Sequence, residues 1–138
     1  MAIKTNKKRA SVVVFAMKQK RAKRKWDDTL LFNSAFGALT LAIILLAHSQ
    51  IWLATALLAI VAITGLYYWK SKTTTAIFFL GGALCALAET TAINAGVWSY
   101  SNSNLLGAPI WIYIVWGNSS AFIYQTALGL RELLGFES

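Results

Sequence analysis

Residues 30–69 read LLFNSAFGALTLAIILLA, then HSQ, then IWLATALLAIVAITGLYYW. Each apolar run is close to the roughly 20 residues that a helix needs to cross the hydrocarbon core of a bilayer. Neither run alternates at period two as a barrel strand would. A helix satisfies its backbone donors and acceptors internally, as lipid demands. The break, His48-Ser49-Gln50, is short enough to force an antiparallel hairpin. This stretch sets the expected fold class as all-α and polytopic.

Two more runs follow. Lys70-Ser71-Lys72 and three threonines make a basic turn, and a third apolar run covers about 75–98. Residues 99–108 are rich in Ser and Asn and close on Gly107-Ala108-Pro109, ahead of a fourth run over 109–130. Proline in the first turn of a helix sacrifices no hydrogen bond, so Pro109 marks where the fourth helix begins. The expectation is a bundle of four antiparallel transmembrane helices at about 30–47, 51–69, 75–98 and 109–130. This domain, 29–138, follows a basic amphipathic N-terminal arm, 1–28.

Charge orients the bundle. The 138 residues are 57% hydrophobic yet carry a formal charge of +8, and ten of the thirteen Lys and Arg residues precede residue 26. With the N-terminus inside, the turn at Lys70 and Lys72 and the tail at Arg131 are inside too. The two outer turns then hold no Lys or Arg, as the positive-inside rule requires. Both termini are expected in the cytoplasm and the protein in the plasma membrane. Trp26, Tyr67, Tyr68 and Trp69 would mark the inner interface, and Trp52, Trp98, Tyr100 and Trp111 the outer one. The basic start extends to Lys25 and precedes a run long enough to span, so it reads as an uncleaved first helix. A single cysteine, Cys85, excludes an internal disulfide.

The arm carries Lys18, Lys20, Arg21, Lys23, Arg24 and Lys25 directly before the first span. Such a cluster attracts anionic lipid, at about 1 kcal/mol per cation near the surface. Docking on an acidic face of a partner protein is the alternative. No element for reading bases accompanies the cluster, so no specific nucleic acid is expected. The apolar patch 12–17 is too short to span and suits an amphipathic interfacial helix.

Glu89 is the one acidic residue deep in a span, and no Lys, Arg or His lies at its depth. A carboxyl there should face protein or a cavity. It is expected either to be protonated or to pair with another chain. Cys85, Thr90 and Asn94 lie within a turn or so of it. On the fourth run Trp111, Asn118 and Gln125 recur at spacing seven, hence on one face, with Ser119 and Ser120 beside Asn118. These polar groups read either as hydrogen-bonding glue between helices or as a proton or ligand site, with Asn118 a candidate partner for Glu89. Gly81, Gly82, Cys85, Ala86 and Ala88 form small-residue stripes for close helix approach. His48 stands without other metal-ligating residues nearby, a poor metal site. No hydrolase triad, phosphate loop or carboxylate dyad occurs.

Residues 89–117, ETTAINAGVWSYSNSNLLGAPIWIYIVWG, resemble a pattern in uncharacterised small prokaryotic membrane proteins. The run is also loosely similar to a stretch of the carotenoid-biosynthesis membrane hydratases. That resemblance covers about a fifth of the chain and implies roles for Glu89, Trp98, Tyr100, Gly107, Pro109 and Trp116. It also implies a polyisoprenoid or pigment near the third and fourth helices.

The sequence thus points first to a non-catalytic accessory subunit of a larger membrane complex, whose partners are other integral membrane subunits. It requires no cofactor and leaves room for a lipid or pigment. The alternative is a small oligomeric proton-coupled transporter or channel using Glu89. A third reading is an isoprenoid- or lipid-modifying membrane enzyme with Glu89 as acid.

Overall fold

A computed structural model describes residues 27–134. The chain is all-α, with α1 at Asp27–Ala47 and α2 at Ile51–Trp69. Then come α3 at Lys72–Asn94 and α4 at Trp111–Leu134. Residues 1–26 of the basic arm, with Lys18, Lys20, Arg21, Lys23, Arg24, Lys25 and Trp26, lie outside the described residues, while Asp27 and Asp28 begin α1.

Local chemistry sets the boundaries. Lys70 adopts a left-handed conformation (φ 49°) and its N–H closes on Leu66, ending α2. One residue later the Ser71 side chain accepts from the Thr74 N–H at 3.2 Å, an N-cap that opens α3. The threonines expected in a turn therefore form the first turn of α3. The other end of α3 also moves. The Gly96 N–H donates to the Ile93 carbonyl and the Val97 N–H to the Ala92 carbonyl, each at 3.0 Å. Gly96 itself takes φ +73°. This is a Schellman ending, which glycine favours because it has no Cβ to clash in that conformation. The expected third run to residue 98 is cut short at Asn94.

Three helices, α1, α2 and α3, are long and apolar enough to cross a membrane. α4 has 24 residues but carries Asn118, Ser119, Ser120, Gln125 and Thr126 in its middle. That polar content is spent inward, since Asn118 and Gln125 are buried.

The core belongs to α1, α2 and α4: Phe36, Ile43, Ala47, Ala54, Leu58, Val61 and Trp111 cluster there. The buried positions of α1 are 33, 36, 40, 43 and 47. Their alternating steps of three and four keep one face inward. Near one end of the α1–α2 hairpin, Phe32 stacks on Tyr68 with ring centroids 3.7 Å apart. Trp69 Nε1 donates to Asn33 Oδ1 at 2.9 Å beside them. Trp69 thus packs in an α1–α2 cluster at the end of α2, while Tyr67 is exposed.

α3 is joined differently. It packs chiefly on α4, and its buried residues are Thr74 and Glu89, both polar. A Cβ on Gly81 would fall 2.4 Å from Ser120 Cβ, and one on Gly82 would meet the Tyr113 carbonyl and Gly117. Gly81 and Gly82 of the small-residue stripe are therefore used within the chain, against α4.

Candidate functional site: a carboxyl clasped by its own loop

The reversal at Gly96 sends the chain back along the last turns of α3, and two aromatic donors land on Glu89. Trp98 Nε1 donates to Glu89 Oε1 at 3.0 Å. The Tyr100 hydroxyl donates to the same oxygen. Glu89 is 5% exposed. Expected either to be protonated or to pair with another chain, this carboxyl accepts two hydrogen bonds within its own chain. The reason is the early end of α3, which turns residues 95–98, expected as helix, into part of a returning strap.

The rest of the loop is equally tied. Leu105 and Ala108 pair across a tight turn whose central residues, Leu106 and Gly107, both have positive φ, as type I′ turns require. Gly107 sits against Ile93 of α3, where a Cβ would come within 2.8 Å of Ile93 Cγ2. From α4, the Tyr113 hydroxyl donates to the Leu105 carbonyl at 3.0 Å. Asn104 Oδ1 accepts from the Ile110 N–H at 2.9 Å. Pro109 is fully buried, just before α4.

Electrostatics fix who donates. The Tyr100 phenol is held above the usual tyrosine range by burial, then by its hydrogen bond to Glu89 and by the charges of Glu89 and Tyr113. It therefore stays a hydrogen-bond donor at neutral pH. An indole N–H can only donate. Glu89 Oε1 is thus committed to closing the loop over the end of α3.

The other polar residues singled out in the sequence lie elsewhere. Asn118 is fully buried and its amide donates to the Leu58 carbonyl of α2 at 3.5 Å. It does not meet Glu89. Gly82 is level with Tyr113 and Gly117, so Glu89 lies seven residues farther along α3, about 10 Å beyond. Gln125 donates to Thr74, joining α4 to the start of α3. Ser119 lines a cleft between α1 and α4. Asn94 is exposed at the end of α3, Trp98 is partly exposed, and Trp111 is buried in the core. Trp111 Nε1 and Trp116 Nε1 are buried without a hydrogen-bond partner among the described residues.

Asn33, Thr40 and Thr74 escape the sequence reading although all three are buried. Asn33 and Thr40 are seven residues apart in the first run, the same signal that picks out Asn118 and Gln125. No protein-family model, curated protein or solved structure matches this chain.

Proposed function

We propose that the chain is a four-span plasma-membrane protein that serves as a non-catalytic accessory subunit of a larger integral membrane complex. Its helices run antiparallel, with both termini cytoplasmic and the basic arm on anionic lipid. An inverted distribution of polarity supports the membrane placement. Asn33, Thr40, Thr74, Glu89, Asn118 and Gln125 are buried, while Leu31, Leu46, Trp52, Ile63, Phe79 and Leu87 are exposed. In water such a surface would be unfavourable by about 25 cal/mol per Å² of apolar area. In lipid it carries no such penalty. α4 joins as the fourth span because its polar residues are shielded by the other helices. Opposite chain order supports the antiparallel arrangement: Leu30 meets Gly129 and Phe122 meets Gly37, while Thr74 meets Gln125.

The observation that carries the subunit reading is the open side of α3. Ala76, Leu80, Ala83, Leu84, Leu87 and Ala88 are exposed along one side. Small residues interleaved with leucine are how helices pack together in bilayers. Glu89 enters this reading as the residue that fixes the outer loop beside that face.

The test is extraction in mild detergent with a photo-crosslinker at Leu84, followed by mass spectrometry. A fixed set of larger membrane subunits crosslinked through α3 is the expected result. A homo-oligomer, or crosslinks to lipid alone, would overturn the subunit reading.

A further inference from the structure

The clasp on Glu89 engages one of its two oxygens. Trp98 and Tyr100 both donate to Oε1. Oε2 takes no hydrogen bond among the described residues, yet it is not sealed as Trp111 Nε1 and Asn118 Oδ1 are. The 5% of Glu89 that stays exposed thus includes a polar oxygen open to the surroundings.

Neither donor carries a positive charge. Among the described residues the lysines and arginines are Lys70, Lys72 and Arg131. Lys72 opens α3 and lies about 25 Å from Glu89 along that helix. Arg131 follows Gln125, which bonds Thr74 at the same far end. A carboxyl at membrane depth calls for a partner, and no lysine or arginine of the described residues is near enough to be one. α3 ends at Asn94, about 8 Å beyond Glu89. On the membrane placement proposed above, Oε2 sits where the outer headgroups meet the hydrocarbon. Beside it Trp98 is 47% exposed, an aromatic face of the kind that cations approach.

An ionised Oε2 only accepts hydrogen bonds. A group that donates one and also carries a positive charge meets both needs at once, and such charge-assisted bonds are the strong ones. A quaternary ammonium has the charge without the N–H, and an alcohol has the donor without the charge.

We propose that Glu89 Oε2, beside Trp98, binds a primary ammonium group. Its N–H donates to Oε2, and its charge offsets that of the carboxylate next to the indole. Two sources carry this group: the headgroup of phosphatidylethanolamine and a free alkylamine. The lipid source rests on the membrane placement. The ammonium site does not, and neither source depends on the subunit reading.

The test places the full chain in nanodiscs of phosphatidylethanolamine and phosphatidylcholine in equal parts, with matched acyl chains. Native mass spectrometry should find phosphatidylethanolamine retained about tenfold over phosphatidylcholine, the worth of one charge-assisted hydrogen bond. In nanodiscs of phosphatidylcholine alone, saturation-transfer NMR with propylamine reads the free-amine source, with propanol as control. Glu89→Gln keeps an acceptor for Trp98 and Tyr100 but places an NH2 donor where Oε2 stood. It should abolish the lipid preference while hydrogen exchange of residues 96–108 stays as in the wild type. A propylamine signal lost in Glu89→Gln, without a lipid preference, would assign the site to a soluble amine. Equal retention of both lipids with no propylamine signal above propanol would mean that a proton or water satisfies Oε2, and would overturn the proposal. This comparison uses the wild-type chain alone and does not depend on how the variant folds. A preference or signal that survives in Glu89→Gln with its loop intact would overturn the proposal as well.

Discussion

Trp98 Nε1 and Glu89 Oε1 lie 3.0 Å apart, joined across a chain reversal that separates the two residues by nine positions. Their hydrogen bond and that of Tyr100 make one carboxyl oxygen the anchor of the 95–110 loop. Glu89→Gln keeps an acceptor oxygen there and should leave the fold intact. Glu89→Leu removes both bonds and should destabilise the loop by about 1–3 kcal/mol. Hydrogen exchange of residues 96–108 reads the difference. Equal exchange in wild type and Glu89→Leu would remove the anchoring role.

The phenol gives a pH signature. Burial and Glu89 raise Tyr100 above the ordinary tyrosine value of 10.0. The folded chain then holds this proton to higher pH than the unfolded chain does. By linkage, the contribution is fully present below pH 10 and stability falls as pH rises above it. Tyr100→Phe should show a shallower alkaline loss of stability in detergent. Parallel curves for the two proteins would contradict the arrangement.

Gln125 and Thr74 tie α4 to the start of α3. A double-mutant cycle of Gln125→Leu and Thr74→Val, read by unfolding in detergent, should give a coupling of about 0.6–1.7 kcal/mol. A coupling of zero would mean that the two side chains do not share a bond in the bilayer.

At Gly81 a new Cβ would lie 2.4 Å from Ser120 Cβ, too close for a rotamer change to relieve. Gly81→Ala should therefore force α3 from α4 and lower stability by about 1–3 kcal/mol. Adding Ser120→Gly should recover most of the loss. Failure to recover would place the damage elsewhere than this contact.

Orientation is accessible to labelling. With Cys85 replaced by Ala, a cysteine at Ser103 should react with a membrane-impermeant maleimide from outside intact cells. A cysteine at Lys72 should react only after the inside is exposed. The reverse pattern would invert the positive-inside assignment.

Much of the helix layout is readable from the chain. α2 runs over Ile51–Trp69, as the polar break at 48–50 and the Lys70 turn dictate. The end of α3 is harder, because hydropathy continues through Val97 and Trp98 while the helix stops at a single glycine. Asn94-Ala95-Gly96 is the signal that hydropathy hides. Glu89 misleads for the same reason. Counted as mid-span, it appears to lack a partner, whereas one turn past Gly96 the loop supplies two. Asn118 and Gln125 are legible as a buried face from their spacing. Their partners, a backbone carbonyl of α2 and a threonine at the start of α3, are set by tertiary packing that no local pattern encodes.

The contribution of α4 to the core also bears on how such a chain is made. It leaves the ribosome after the other three helices, yet it supplies Gln125 to Thr74 and Asn118 to the Leu58 carbonyl. On the proposed membrane placement, before it emerges Thr40 and Thr74 have no wall between them and lipid, while Asn33 is already met by Trp69 of α2. Synthesis order and assembly order therefore conflict. Stalled chains ending before residue 118 should stay with the insertase, and release should follow only once α4 has entered.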